Sequence, residues 1–398
     1  MKKNFLDLGL QPLANDFRFR FNKSNRYKLA VSFDSKTKLV SITKHLKSKM
    51  MFNSSYPYRS GKSLMVKKLF HELSTKLNKK FYFKNILEIG SNDGTFASNF
   101  DKKKIVCIEP CTEVANEIIK KGYTTFIKYF DIKLVKILKK KYKTFDLIFS
   151  ANTITHISNL NNVVSNLKKL ISDNGIIIIE DPSFLKCIKN NSYDQFYNEH
   201  IYVLSAIAFR NVLDKHGLEI FDLENIEVHG GSIRYFIKKK INKNLIIKKR
   251  VANQIKAEKK AGLEKFSTYQ KFAHRTLESK KKLVKKFNEL KLKGKTIIGY
   301  GATAKAVTVV NYCNLKEKYF SNFIDTTKGK IGKLLPGTKI KVLRYKKLRK
   351  DKNLYVFLGA WNFKKEILKK ENFFFKNHGN FITHIPYPRI INKKNFRG

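Results

Sequence analysis

The feature that most constrains this chain is the stretch Ile86-Leu-Glu-Ile-Gly-Ser-Asn-Asp-Gly94. Ile86, Leu87 and Ile89 predict a short apolar strand, Gly90 and Gly94 bracket a turn, and Thr95 to Phe100 reads as the opening of a helix. A strand entering a Gly-rich turn and a helix N-terminus is the nucleotide-binding corner of doubly wound α/β folds. The glycines admit a ligand to the backbone, and the helix end offers unpaired N–H donors. A second strand, Lys104 to Ile108, leads to Glu109, about 20 positions beyond Glu88, where a carboxylate accepts hydrogen bonds from a ribose.

The loop departs from the dinucleotide pattern G-x-G-x-x-G. Asn92 replaces the middle glycine and Asp93 adds a carboxylate. Such a loop suits a ligand with a charged amine more than one with a pyrophosphate, and S-adenosylmethionine is such a ligand. The loop alone leaves an ordinary strand–turn–helix corner open, and Glu109 favours the cofactor.

With 398 residues, 42% hydrophobic, the chain has room for two or three domains and a proper core. No apolar run approaches the roughly 20 residues of a membrane helix, and the N-terminus lacks a signal-peptide core, so a cytoplasmic protein with no membrane partner is expected. The net charge of +52 fits either a nucleic-acid binder or a biased coding sequence. Lysines run through the whole chain together with abundant Asn, Ile, Phe and Tyr, all residues with A/T-rich codons, which favours bias and no specific nucleic-acid partner. Cys107, Cys111, Cys187 and Cys313 contain no C-x-x-C pair, so reduced structural thiols are expected.

Along residues 1–75, Leu6 to Asn15 reads as loop, Tyr27–Val31 and Lys38–Ile42 as a small hairpin, and Leu64–Leu77 as a helix. Residues 76–241 carry an α/β alternation, with strands near 86–89, 104–108, 124–127, 145–150 and 175–180. A helix over Leu204–His216 and two closing strands, Leu218–Glu224 and Ser232–Ile237, follow. Five parallel strands plus a terminal pair containing a reversed strand is the class I methyltransferase layout; a generic dinucleotide-binding sheet is the alternative. Residues 242–292 predict linking helices with a solvated charged face. Residues 293–398 open a smaller α/β domain with strands near 296–300, 320–324, 354–358 and 381–384.

Four further segments carry chemistry. Asn152 and His156 follow a strand and so lie at the carboxyl edge of the sheet. Tyr197, Glu199 and His200 gather three proton-handling groups, in which a carboxylate can orient a histidine and a phenol can face an oxyanion. His229-Gly-Gly-Ser-Ile-Arg234 pairs close backbone approach with a bidentate donor, or is a simple bulge. Gly299-Tyr-Gly-Ala-Thr-Ala-Lys305 is a candidate phosphate turn, and Trp361 and Asn362 follow a later strand toward the same cleft.

Together these segments resemble the sugar C-methyltransferases, which methylate C3 of nucleotide-linked 4-keto deoxysugars. The resemblance rests on Leu8-Gly-x-x-Pro-Leu-Ala-Asn15, Tyr56-x-Tyr-x-Ser-Gly61, Glu88-Ile-Gly-Ser-Asn-Asp-Gly94, Ile108-Glu-Pro110, Asn152 with His156, Tyr197-x-Glu-His200, His229-Gly-Gly-Ser232 with Arg234, Gly299-Tyr-Gly-Ala302 with Lys305, and Trp361-Asn-Phe363. It implies an N-terminal module, a central S-adenosylmethionine-binding domain and a C-terminal α/β domain. It further implies His200 as base with Glu199 orienting it or sharing the role, and Tyr197 and His156 at the enolate or the sugar. Tyr56, Ser60, Glu88, Gly90, Asn92, Asp93, Gly94, Glu109 and Asn152 are implied at the cofactor. Asn15, His229, Arg234, Lys305, Trp361 and Asn362 are implied at a nucleotide-sugar substrate, with Arg234 and Lys305 on its diphosphate.

Two departures stand out. The family's N-terminal module binds zinc through four cysteines; this chain starts after the first pair, and Asp34 and Thr37 stand where the second aligns. A metal-free remnant is therefore expected over residues 1–75. Asn198 stands where the family usually has histidine. Methylation of oxygen, nitrogen or another carbon acid is the runner-up activity, and a non-catalytic nucleic-acid or anionic-surface binder the third; whether the protein is a monomer or a homodimer stays open.

Overall fold

The structure, a computed structural model, describes residues 1–21, 26–54 and 56–395. Strands β1 (Lys2–Pro12), β2 (Arg26–Asp34) and β3 (Val40–Ile42) form an antiparallel sheet that the distant two-residue strand Tyr202–Val203 completes. The expected hairpin is β2–β3. Leu6 to Pro12, read as loop, belongs to β1 instead. Register shifts between Asn4 and Leu6 and between Asp7 and Leu10 break the two-residue alternation that marks a strand, and Gly9 takes a φ of +74° there.

This sheet buries Leu8, Leu29, Val31 and Phe33 in a core shared with Phe184, Tyr269 and Phe272. Phe33 stacks on Tyr269 at 4.2 Å and Tyr269 on Phe184 at 5.5 Å. Asp34 accepts the Lys36 N–H at 2.8 Å and the Thr37 N–H at 3.4 Å, which makes this pair a hairpin turn. Among the described residues no group of three or more His, Cys, Asp or Glu side chains is arranged to hold a metal.

The central sheet comprises β4 (Ile86–Ile89), β5 (Ile105–Ile108), β6 (Thr124–Phe126), β7 (Phe145–Ala151), β8 (Ile171–Pro182), β10 (Leu218–Ile226) and β11 (Ser232–Lys239), with Tyr202–Val203 as β9. Its order is β10-β11-β8-β7-β4-β5-β6, and β11 is antiparallel to both neighbours. That is the class I layout the strand pattern predicts. The Leu64–Asn78 helix, capped by the Ser63 side chain, buries Val66, Phe70, Leu73 and Leu77 with Ile86, Ile105 and Phe149 of the sheet. It belongs to the sheet, so the central domain begins before Leu64 and not at residue 76.

Thr95–Phe100 does not open an α-helix. It forms a turn and one 3-10 turn, Ala97–Asn99. The Asn99 side-chain amide donates to the carbonyls of Thr95 and Phe96, competing with a continuing helix, while Phe96 stacks on Phe149 at 3.6 Å. The helix-end donors expected at this corner are therefore missing.

Residues 242–292 contain the Lys249–Lys260 and Phe266–Leu292 helices, where the charge-dense periodic pattern predicts helix. The C-terminal sheet contains β12 (Thr296–Tyr300), β13 (Phe320–Asp325), β14 (Val342–Arg344), β15 (Leu354–Leu358), β16 (Asn380–Thr383) and β17 (Arg389–Ile391), in the order β14-β13-β12-β15-β16-β17. The edge strands β14 and β17, three residues each, are too short to show an alternation. In both sheets the first parallel strand is central: β4 lies between β5 and β7, and β12 between β13 and β15. Each sheet therefore has a switch point at the carboxyl end of its first strand, where doubly wound sheets open a ligand crevice. Among the described residues no helix is long and apolar enough to cross a membrane.

Beyond the Tyr197–His200 segment and strand β9 comes the Ala206–Asp214 helix, and Glu258 holds its start: its carboxylate accepts the N–H groups of Ala206 and Ile207, each at 2.9 Å. Replacing Glu258 with Ala strands two buried N–H donors, and urea unfolding should show a loss of about 3 kcal/mol.

Candidate functional site

The two switch points are built in the same way. Gly90 (φ +73°) lies so near the second residue after β7 that a Cβ would sit 2.1 Å from Thr153 Oγ1. Gly301 (φ +85°) lies so near the second residue after β15 that a Cβ would sit 2.6 Å from the Ala360 Cβ. The acidic residue after the second strand of each sheet repeats too. Glu109 accepts the N–H groups of Asn92 and Cys111, both at 2.9 Å, and Asp325 those of Ala302 and Thr327, both at 2.8 Å.

A cavity of about 1200 Å³ joins the two crevices. One drug-sized ligand takes roughly 300 to 1,000 Å³, so this volume suits two ligands side by side. At the β4 end it is lined by Tyr56, Ser60, Gly90, Asn92, Glu109 and Asn152. In the middle stand Asn15, His156, Tyr197, Glu199, His200 and His229. At the β12 end Lys305, Asp325, Lys330, Lys333, Tyr345 and Asn362 complete it.

Five residues anticipated at the site are elsewhere. Glu88 is buried beneath the loop, and burial raises its carboxyl well above the usual range. Asp93 does not reach the cavity: its Oδ2 accepts the Gly61 N–H at 2.8 Å and its Oδ1 the Thr95 hydroxyl. With Asn92, whose Oδ1 accepts the Ser60 N–H at 2.8 Å, it pins the 56–61 segment over the cavity. Gly94 packs against Ile118. Arg234 cannot serve a diphosphate, because both Nε and one terminal nitrogen are spent on Glu180, at 3.0 and 2.9 Å, and the other reaches Glu224 at 3.3 Å. Trp361 is a strut between domains, donating from Nε1 to the fully buried Asp194, which His384 also meets at 3.1 Å.

At the cofactor end the donor set fits an adenosyl group. Each Glu109 oxygen is engaged by one backbone N–H and retains a lone pair, and the residue lines the cavity. A ribose diol needs such an acceptor pair.

The middle of the cavity is a buried titratable cluster. Glu199, 2% exposed, has its carboxyl pushed up to about 7 by burial, opposed by the Asn15 amide, the charge of Lys330 and the Tyr56 hydroxyl. Asn15 Nδ2 lies 2.8 Å from both of its oxygens. Glu199 does not orient His200. The Gln195 carbonyl does so, 2.8 Å from Nδ1, while Nε2 accepts the Tyr197 hydroxyl. Burial, then the neighbouring His156 and Lys305, hold His200 well below its usual range and therefore neutral. Burial brings His156 down to about 4, and burial with the Lys305 charge brings His229 down to about 3. Phe52, His156 and His200 stack in succession at 5.3 and 5.1 Å as one wall. Asn198 turns away, its amide reaching the Pro12 carbonyl at 3.4 Å, so the substitution there does not alter the cavity lining.

Asp325, Lys330 and Phe52 escape the sequence reading. Asp325 carries a signal: it ends the strand after the Gly301 turn, as Glu109 ends the strand after Gly90. Lys330 and Phe52 carry none.

Residues 59–223 match the model of a methyltransferase domain, and residues 227–386 that of the C-methyltransferase C-terminal domain. The C-methyltransferase NovU of Streptomyces niveus is 28% identical over 308 residues, covering 77% of this chain and 73% of that protein. A tRNA U34 carboxymethyltransferase of Campylobacter jejuni is 25% identical over 248 residues, covering 56% of this chain and 81% of that protein. A solved S-adenosylmethionine-dependent methyltransferase from Clostridium acetobutylicum aligns at 14% identity over 44% of this chain and 91% of its own, with a TM-score of 0.34.

Removal of the Glu109 acceptors tests the cofactor end. Glu109→Ala should weaken S-adenosylhomocysteine binding at least about tenfold in calorimetry, the loss of one to two hydrogen bonds to a charged group. Asn198→Ala should leave it unchanged.

Proposed function

We propose that the chain is an S-adenosylmethionine-dependent C-methyltransferase whose acceptor is C3 of a nucleotide-linked 4-keto deoxysugar, a reading that the two family matches and the similarity to NovU support. The observation that carries this reading is a buried carboxyl poised near neutrality in the middle of a cavity that runs on to a lysine-lined end. A carbon acid needs a base whose pKa lies near the working pH, and Glu199 has that property. An acceptor with an anionic tail matches Lys328, Lys333 and Lys370 beyond it. The cofactor, held by Glu109 and by the loop at Gly90 and Asn92, supplies an electrophilic methyl group.

The residues then take these roles. Glu199 removes the proton α to the ketone. Asn15 and Tyr56 hold its two oxygens in one orientation and keep the carboxyl from rising further. Tyr197 commits its proton to His200, so its oxygen is an acceptor that positions a sugar hydroxyl. The wall of Phe52, His156 and His200 confines the ring. In this arrangement His200, neutral with both nitrogens engaged, positions Tyr197 and is not the base.

Labelled cofactor and a 4-keto nucleotide sugar test the reaction: methyl label should appear on C3. A base with a pKa of about 7 works only when ionised, so kcat/KM should rise with pH and level off above about 7. Glu199→Gln should lower kcat by about 100-fold or more and His200→Ala by about tenfold. A His200→Ala loss equal to or above that of Glu199→Gln would reverse the assignment, and a label on oxygen or nitrogen would refute the acceptor.

A further inference from the structure

The roles above leave one need unmet. Removing the C3 proton moves charge onto the C4 oxygen, yet Tyr197 donates to His200, and His156 and His229, as neutral imidazoles, can offer a hydrogen bond but no counter-charge. We infer that Lys305 is the catalytic cation that meets the developing enolate oxygen, and not a diphosphate ligand. The inference rests on the proposed 4-keto acceptor.

Lys305 stands in the first turn of the Ala304–Tyr312 helix, whose N-cap is the Thr303 side chain. The helix starts at the β12 switch point, and its own N-terminal dipole adds to the positive potential there. Lys305 is 7% exposed and lines the cavity, and among the described residues its ammonium makes no hydrogen bond or ion pair. A buried cation without a partner is costly, so a partner arriving with the ligand is the natural account. Burial lowers its pKa, opposed by Asp194, whose Oδ2 is taken by Trp361 and His384. Lys305 lines the same cavity as His200 and His229, and its charge helps to lower both of them. The diphosphate has other lysines: Lys328, Lys333 and Lys370 line the cavity from the C-terminal domain.

The electron count closes. The C3–H bond breaks and its proton passes to Glu199. The bonding pair forms a C3–C4 double bond while the carbonyl pair moves onto oxygen, beside Lys305. As the pair returns to C3, the new carbon–methyl bond forms, and the methyl–sulfur bond breaks with its electrons left on sulfur. Charge stabilisation of this kind acts in the transition state and not in the ground state, so its loss falls on kcat.

The test separates enolisation from methyl transfer. With S-adenosylhomocysteine bound, the wild-type enzyme in D2O should exchange the C3 proton of a 4-keto nucleotide sugar, followed by NMR. Lys305→Met should slow exchange by 100-fold or more while the sugar's Kd moves less than about threefold. Lys305→Arg, which keeps the cation but cannot accept a proton, should recover at least tenfold of that loss. S-adenosylhomocysteine affinity in each variant reports an intact fold. A Lys305→Met variant that exchanges normally, or whose loss lies wholly in Kd, overturns the inference, as does a Lys305→Arg variant no better than Met. Should wild type itself exchange no 4-keto sugar, the acceptor reading fails, and the role of Lys305 with it.

Discussion

Everything at this site depends on one buried carboxylate. Glu199 is held from every part of the chain: Asn15 and Tyr56 from the segment preceding the central sheet, and the charge of Lys330 from the C-terminal domain. Lys330 is itself fixed by the Ala302 carbonyl at 2.8 Å and lies over the Phe17 ring at 5.1 Å. The same strap that carries Asn15 thus also seats Lys330. An upward displacement from 4.5 to about 7 means that ionising Glu199 in the folded protein is disfavoured by about 3 kcal/mol. A protein tolerates such a group when the rest of the fold holds it, and here three regions share that task.

That requirement gives the N-terminal sheet a purpose that needs no bound metal. β3 pairs with Tyr202–Val203, immediately after His200, and the Ile42 N–H meets the Ile201 carbonyl at 2.9 Å. The sheet extends the catalytic segment and fixes its exit. Its aromatic stack on Tyr269 and Phe184 ties it to the Phe266–Leu292 helix and to the helix after β8. The two α/β units then contribute equivalent corners, with Glu109 and Asp325 bracing the glycine turns from the same position, so that one cavity has a cofactor end and an acceptor end.

How far the chain was readable follows from the range of the interactions. The parallel strands, the reversed strand β11 and the Lys249–Lys260 and Phe266–Leu292 helices rest on local periodicity, and they form where the pattern puts them. β1 was hidden because its bulges erase alternation, and the turn at Thr95–Phe100 because Asn99 diverts two carbonyls that a helix would use. Within the site, the places of Gly90, Asn92 and Glu109 on the cavity lining were legible because they follow from offsets along the chain. Asn15 and Glu199 are 184 positions apart, and no spacing rule reports that they meet. Arg234 was misread for a related reason: Glu180 lies directly opposite it in the β8–β11 register, a fact that needs the pairing as well as the sequence. His200 and Glu199 are adjacent in sequence, yet the bonds that fix each one come from elsewhere.

The most direct measurement is the ionisation of Glu199 itself. Infrared difference spectra recorded as a function of pH, wild type against Glu199→Gln, isolate the stretch of that one carboxyl. A transition centred near 7 is the result this account predicts. A transition between about 4 and 5, the range of an ordinary glutamate, would contradict it.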